Sequence, residues 1–248
     1  MNGHPLLEAR GVTVRFGGLV AVDQVSAAFA PGELVGIIGP NGAGKTTFFN
    51  ALSGVIEPTS GELFAAGARL TGARPHRFAQ QGIARTFQTP RVFAELSVAA
   101  NIDFGLQFGG RQRSGSWLLK DEASVLNLIG LAAQAALPAA AITPSQQRLL
   151  EIGMALATRP KLLLLDEVAA GLTESEIESM AQLIRRLRDD LDLTVIWIEH
   201  AVTTLLRHVE RVLVLHQGRK IADGTPAEVV RNAEVVEAYL GDEMVEAA

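Results

Sequence analysis

The feature that most constrains the fold is the segment GPNGAGKTT, which directly follows the apolar run LVGIIG and precedes a helical pattern. It satisfies the pattern G-x-x-x-x-G-K-S/T, in which glycines let backbone N–H groups curl around a phosphate chain at a helix N-terminus. Lys45 is predicted to reach the β- and γ-phosphates, and the Thr46 hydroxyl to bind Mg²⁺. The predicted phosphate loop comprises Gly39, Pro40, Asn41, Gly42, Ala43, Gly44, Lys45, Thr46 and Thr47.

Composition limits the class of protein. The chain has 248 residues, of which 48% are apolar, and this is enough for a large core. It contains no cysteine, which excludes disulfides and cysteine-ligated metal. The net charge is -5 and there is no basic run, so nucleic acid is not expected as a partner. No stretch approaches about 18 uninterrupted apolar residues, so we expect no membrane-spanning helix.

Strand and helix patterns alternate along most of the chain. Four apolar runs are typical of buried parallel strands: LVGIIG, GIARTF, KLLLLD and TVIWIE. Between these runs, apolar residues recur at the spacing of a helix, and TESE from Thr173 is predicted to form a capping box for one helix. The first thirty residues instead alternate and turn like antiparallel strands, and RVLVLHQGRKIADG is typical of a hairpin. These patterns predict an α/β core with a mainly parallel sheet.

Residues 90–150 have a different pattern, with helical segments, a turn at GGRQRSGS and no clear strand. Within them, DEASVLNLIGLAAQAAL is predicted to be helical. We therefore expect one domain, 1–248. Its core is formed by residues 1–89 and 151–248, and a helical subdomain, 90–150, is inserted in it.

Polar residues follow the apolar runs and are candidates for chemistry. LLLLDE ends in Asp166, suited to hold Mg²⁺, and Glu167, suited to act as general base toward an attacking water. Gln88 and His200 follow two other runs. Because ligands bind at the carboxyl ends of strands in an open parallel sheet, we expect these groups to gather beside the phosphate loop.

In this order, the phosphate loop, Gln88, the carboxylate pair and His200 resemble the ATPase subunits of ATP-binding cassette transporters, over essentially the whole chain. The resemblance implies an α/β fold with a P-loop NTPase (RecA-like) core, an N-terminal antiparallel β subdomain and an inserted helical subdomain. It implies ATP and Mg²⁺ as cofactors, with Thr46, Gln88 and Asp166 at the metal and Glu167, His200 and Gln88 in catalysis.

The resemblance also assigns Phe16 in VRFGG to stacking on adenine, and His200 to contact with the γ-phosphate. An aromatic residue at a strand end is as often part of the core, and this is the alternative for Phe16. Gln88 is implied to sense the membrane partner as well as Mg²⁺.

The stretch ITPSQ stands where these ATPases carry a Leu-Ser-Gly-Gly-Gln signature, which faces the phosphate loop of a second subunit. The resemblance therefore implies ATP contacts from Thr143, Ser145 and Gln146. Pro144 lacks an N–H, and Ser145 places a side chain where close backbone approach is needed. The same stretch is a predicted helix start, with Thr143 as cap, proline at the first helical position and Gln146 completing a capping box.

Two more departures accompany the altered signature: Val168 where proline is usual, and Thr173 where Asp or Asn is usual. Together they leave open how well this signature supports hydrolysis. We expect a second ATPase subunit that is a different chain, with a homodimer as the alternative.

Within this family, the chain most resembles the ATPase subunits of importers for branched-chain and other hydrophobic amino acids. The resemblance rests on the stretches FGGLVAVDQVS, GIARTFQTPRVFAELSVAANI, QQRLLEIGMALATRPKLLLLDEVAAGLT and ADGTPAEVVRNAEVVEAYLG. Urea or amide importers, a lipopolysaccharide exporter and a soluble regulatory cassette protein remain alternatives. The resemblance implies transmembrane permease subunits and, indirectly, a periplasmic or extracellular substrate-binding protein. It places the chain peripherally at the cytoplasmic face of the inner or plasma membrane.

The region from Gln88 to Leu106 is the expected docking surface for the permease, because Val92, Phe93 and Leu96 have little strand support to bury them. The alternative is that these side chains fill the core of the helical subdomain.

Overall fold

Two β-sheets organise the fold in the computed structural model, which describes residues 4–108, 118–199 and 201–246. The strands are β1 (Leu7–Phe16), β2 (Leu19–Phe29), β3 (Leu34–Ile38), β4 (Ser60–Ala65), β5 (Ala68–Arg69), β6 (Ile83–Arg85), β7 (Leu162–Asp166), β8 (Thr194–Ile198), β9 (Arg211–His216) and β10 (Arg219–Gly224). The α-helices are α1 (Lys45–Leu52), α2 (Pro75–Gln80), α3 (Val98–Phe108), α4 (Glu122–Leu128), α5 (Pro144–Ala157), α6 (Glu174–Leu191), α7 (Val202–His208), α8 (Pro226–Val229) and α9 (Ala233–Glu246).

The larger sheet has the strand order β10-β9-β3-β8-β7-β6. Neighbouring strands from β9 to β6 run parallel, and β10 pairs antiparallel with β9 as a hairpin. Every residue of β3, β7 and β8 is buried, which explains their continuous apolar sequences. The mainly parallel sheet predicted from the four apolar runs is therefore confirmed.

The smaller sheet is antiparallel, with the order β2-β1-β4-β5. Its first two strands were predicted, but β4 and β5 were missed. Only Leu63 and Ala65 of β4 are buried, and both residues of β5 are exposed, so neither strand has a clear apolar alternation. Gly61 has a φ of +89°, and a Cβ there would collide with the Gly11 carbonyl, so this strand crossing requires glycine.

The predicted helix over DEASVLNLIGLAAQAAL is wrong in its length. The helix α4 ends at Leu128, and a short 3-10 turn follows at Ala132–Gln134. Between them Gly130 has a φ of +73°, and a left-handed glycine of this kind ends a helix. The helix α5 starts as predicted: Thr143 and Gln146 form a reciprocal capping box with Pro144 in the first turn.

Hydrophobic side chains pack on both faces of the larger sheet, because successive residues of a strand point to opposite sides. Leu162 and Leu164 of β7 pack with α1 and the smaller sheet. Leu163 and Leu165 pack with α3, α4, α5 and α6. The helices of residues 90–150 therefore share a core with the sheet, and α5 crosses residue 150. No helix in the described part of the chain combines the length and the apolar composition needed to cross a bilayer.

Candidate functional site

The carboxyl ends of four parallel neighbours, β3, β8, β7 and β6, define one edge of the larger sheet. The phosphate loop follows β3, the carboxylate pair ends β7, and Gln88 lies shortly after β6. His200 comes shortly after β8 and lies outside the described residues. The edge thus brings together the loop, Gln88, Asp166 and Glu167.

The phosphate loop joins β3 to α1 and lines a pocket of about 610 Å³. Gly44, which immediately precedes α1, has a φ of +95°, and a Cβ there would collide with the Ala21 carbonyl. The loop therefore requires glycine at this position for both conformation and space. The other lining residues come from the β1–β2 hairpin, from Glu167 and from the β9–β10 turn at Gln217 and Gly218.

Phe16 lies at the end of β1 and lines the same pocket as the phosphate loop. Its side chain is 51% exposed, so the alternative position in the core is excluded. An exposed aromatic ring at the rim of a phosphate pocket is suited to stack on a planar base.

Lys45 is buried in the loop, although it carries a charge. Its ammonium Nζ donates hydrogen bonds to the carbonyl oxygens of Gly39 at 2.7 Å and Pro40 at 2.9 Å. Burial lowers the pKa of Lys45, and the negative charge of Glu167 opposes that change. The ammonium is thus held inside the loop, where phosphate oxygens could replace the two carbonyls as acceptors.

Glu167 and Gln88 meet at the sheet edge although 79 positions separate them in the chain. The Gln88 Nε2 donates a 2.6 Å hydrogen bond to the Glu167 Oε2. Glu167 is 5% exposed and has a φ of +49°, and its own N–H donates to the Ile198 carbonyl at 3.0 Å. Such a left-handed conformation is costly for a residue other than glycine and is often found at functional sites.

Asp166 is also buried, with 3% of its surface exposed. Its N–H donates to the Thr86 hydroxyl at 3.2 Å, and its carboxylate pairs with the Arg85 guanidinium at 3.0 Å. The pairing with Arg85 was not predicted.

The oxygen donors at this edge fit Mg²⁺. Thr46 lines the phosphate pocket, and Asp166 ends β7, which β8 separates from the strand before the phosphate loop. The described residues contain no cluster of three or more His, Asp or Glu side chains that could hold a metal. Mg²⁺ is commonly held by one or two carboxylates together with substrate phosphates, so the donor set suits a metal that binds with the nucleotide.

The signature-like stretch lies apart from the phosphate pocket. Thr143 and Gln146 bond to each other in the capping box, and the Thr143 hydroxyl lies 3.0 Å from that of Ser145. Ser145 lines a different pocket, formed with residues of α4 and α6. One copy of the chain therefore does not bring this stretch and the phosphate loop into one pocket.

Glu151, on α5, was not predicted to have a role. It is 5% exposed and accepts hydrogen bonds from the backbone N–H groups of Phe87 at 3.3 Å and Arg91 at 2.9 Å. Burial raises the pKa of Glu151 to about 7, although these bonds and the charges of Arg148 and Arg91 act in the opposite direction. The carboxyl group joins the segment after β6 to α5.

Two further charged side chains hold the segment after Glu167. The Arg148 Nη1 donates to the carbonyl of Val168, which is fully buried, at 3.1 Å. Glu199, directly after β8, accepts a 2.6 Å hydrogen bond from the Ala169 N–H. These contacts fix the backbone beside the candidate general base. Beyond this segment Thr173 caps α6, as predicted.

The arrangement combines a phosphate loop, a buried ammonium, two carboxylates and oxygen donors suited to Mg²⁺. Residues 22–170 match the family model described as ABC transporter, and residues 219–245 match the model described as branched-chain amino acid ATP-binding cassette transporter. The chain is 38% identical to the high-affinity branched-chain amino acid transport ATP-binding protein BraF of Pseudomonas aeruginosa, over 96% of this chain and 98% of that protein.

The chain is also 38% identical, with the same coverage, to the high-affinity branched-chain amino acid transport ATP-binding protein LivG of Escherichia coli. Among solved structures, the ADP conformation of an ATP-binding cassette of an ABC transporter has a TM-score of 0.83 and 28% identity, covering 96% of this chain and 99% of that one. The chain belongs to the ABC transporter family, as one of its ATP-binding and ATP-hydrolysing subunits.

Proposed function

We propose that the chain hydrolyses ATP to power import of branched-chain and other hydrophobic amino acids through separate membrane subunits. The observation that carries this proposal is its similarity to BraF and LivG across nearly the whole length of all three chains. The second family match, in the C-terminal segment, supports the same class of transporter.

An uptake assay tests this function in cells. In a strain lacking the gene for this chain, we expect uptake of labelled leucine, isoleucine and valine to fall and to be restored by the native gene. Uptake of urea in the same cells serves as the control for the related importers. Loss of urea uptake with unchanged leucine uptake would contradict the proposed substrate class.

For the chemistry, we propose that Lys45 binds the β- and γ-phosphates and that Thr46 and Asp166 hold Mg²⁺. Glu167 then accepts a proton from the attacking water, which makes the water a better nucleophile. We assign to Gln88 the sensing of Mg²⁺ and of the permease, and the hydrogen bond that its amide donates to the Glu167 carboxylate supports this role. We assign contact with the γ-phosphate to His200.

We propose the surface formed by the region from Gln88 to Leu106 as the docking site for the permease, at the cytoplasmic face of the inner or plasma membrane. Phe93 and Leu96 are each 42% exposed, and Phe104 is 40% exposed. The rings of Phe93 and Phe104 lie 4.6 Å apart. Val92 instead packs against the hydrophobic core, so the core alternative holds for this residue. The exposed apolar side chains suit an apolar segment of a permease loop.

Introduced cysteines test the docking surface, because the chain has none of its own. We expect Phe93→Cys, Leu96→Cys and Phe104→Cys to cross-link to a cytoplasmic loop of the permease in the assembled transporter. Arg69→Cys, at an exposed position of β5 in the smaller sheet, is the matched control and should not cross-link. If none of the three positions cross-links although each reacts with a soluble thiol reagent, the docking surface lies elsewhere.

We also propose that ATP binds between this chain and a second ATPase subunit, since the signature-like stretch lies apart from the chain's own phosphate pocket. The altered residues Pro144 and Ser145 would face the partner's loop with one N–H donor missing. A different partner chain with an ordinary signature would then support the faster of the two sites. Measuring the size of the isolated chain with ATP distinguishes a different partner chain from a homodimer, because self-association of the isolated chain would favour the homodimer.

We further propose that a substrate-binding protein outside the membrane acts on this chain indirectly, through the permease.

A further inference from the structure

Arg85 is the last residue of β6. Its side chain lies in the interior of the protein, and each of its three nitrogen atoms donates a hydrogen bond. Its side chain is 10% exposed, and its Nη2 donates to the Asp166 Oδ2 at 3.0 Å. Its Nη1 donates to the Asn50 Oδ1 and to the Ser53 Oγ, each at 2.8 Å, and its Nε donates to the Thr86 carbonyl at 3.1 Å. The guanidinium therefore donates hydrogen bonds to four groups.

Those partners include residues of two other elements, β7 and the C-terminal end of α1. Asp166 ends β7, whereas Asn50 lies in α1 and Ser53 immediately follows it. The helix α1 begins at Lys45, at the end of the phosphate loop. The Arg85 guanidinium thus connects the carboxylate at the end of β7 to the helix that follows the phosphate loop.

The planar shape of the guanidinium matters for this connection. An arginine presents five N–H donors in a rigid fork, whereas a lysine presents one flexible ammonium. Phe87 and Phe49 enclose the group, with ring centroids 4.5 and 5.4 Å from the Arg85 Cζ. Burial lowers the pKa of Arg85, and the Asp166 charge opposes that change. Because an arginine stays protonated in proteins, a positive charge lies next to the buried Asp166 carboxylate.

We propose that Arg85 is a positioning residue that holds the Asp166 carboxylate in the orientation required to bind Mg²⁺ beside the phosphate loop. This inference rests on the proposed function, in which Asp166 is a Mg²⁺ ligand. Mg²⁺ demands near-octahedral geometry, so the direction of a ligand carboxylate affects its affinity. Partners that hydrogen-bond to a metal ligand typically change metal affinity about ten- to a hundredfold when they are mutated.

The alternative is a buried ion pair that only stabilises the fold. The two roles differ in their effect on the metal. A structural pair affects unfolding but leaves the metal affinity of the folded protein unchanged. A positioning residue alters metal affinity even in a variant that keeps the charge and the fold.

The test is Mn²⁺ binding, followed by electron paramagnetic resonance on the full chain saturated with a non-hydrolysable ATP analogue. Arg85→Lys keeps the charge but loses the fork, and we expect it to weaken Mn²⁺ binding about tenfold or more. Asn50→Ala keeps both charges and removes one acceptor of the guanidinium, so we expect a smaller change in the same direction. Binding of the analogue with a chelator present should equal that of the native chain in both variants.

Two comparisons complete the design. Arg77→Lys, at an exposed arginine of α2, should leave Mn²⁺ affinity unchanged. Asp166→Asn should weaken it at least as strongly as Arg85→Lys. If Asp166→Asn weakens Mn²⁺ binding but Arg85→Lys and Asn50→Ala bind Mn²⁺ as the native chain does, the positioning role of Arg85 is wrong. The assignment of Asp166 as a Mg²⁺ ligand then stands. Native affinity in Asp166→Asn overturns the assignment of Asp166 and the inference with it.

Discussion

Replacing Glu167 with glutamine is expected to lower ATP turnover at least about a hundredfold, because an amide cannot accept a proton from the attacking water. ATP binding should remain, since the substitution keeps the shape of the side chain and removes a negative charge beside the triphosphate. The local structure should also remain, because the remaining oxygen still accepts the hydrogen bond that Gln88 donates.

Steady-state phosphate release and nucleotide titration of the same protein separate the two effects. Glu237→Gln makes the same chemical change at an exposed position on α9 and is the matched control. The ATP-bound Glu167→Gln protein should also accumulate as a dimer with its partner subunit, detected by light scattering, because the complex no longer turns over. A variant that hydrolyses ATP near the native rate would exclude Glu167 as the general base.

Lys45→Ala is expected to weaken ATP binding by about 1.5 to 3 kcal/mol, the range of hydrogen bonds to charged groups. The ammonium is buried in the phosphate loop, and it is the group there that can pair directly with the phosphate charge. Its loss also leaves the Gly39 and Pro40 carbonyls without the donor that now holds them.

Calorimetric titration with ATP measures this change in affinity. Lys120→Ala removes the same charge from an exposed position and should leave the affinity as it is in the native chain. A circular dichroism spectrum of Lys45→Ala that matches the native one shows that the fold is intact. Unchanged ATP affinity in that folded variant would mean that the loop is not the nucleotide site.

Several site residues were predictable because their signals are local. The phosphate loop is read from nine consecutive residues, Gly39–Thr47, between a strand and a helix. The helix starts at Thr143 and Thr173 were predicted from capping boxes that span four residues each. That Gln88 and Glu167 reach the same sheet edge was predicted from parallel strands, but their direct hydrogen bond was not.

Roles for Arg85 and Glu151 were not predicted, although the sequence around each of them gives a weak indication of one. Arg85 stands in the apolar run GIARTF, and Glu151 stands between the buried Leu150 and Ile152. A charged residue in an otherwise apolar pattern is rarely buried without a partner. Such a residue indicates a paired or hydrogen-bonded charge, although the pattern does not identify the partner.

By itself, the sequence determined the parallel strands, the phosphate loop, the carboxylate pair and the starts of the main helices, because backbone propensity and the period of burial act over a few neighbouring residues. Only the tertiary structure decided which groups from distant parts of the chain meet. Arg85 and Asp166 are 81 positions apart, and Phe87 and Glu151 are 64 apart. Their contacts depend on strand order and register and on the packing of α5 against the sheet, and these follow from the burial of the whole core rather than from any short segment.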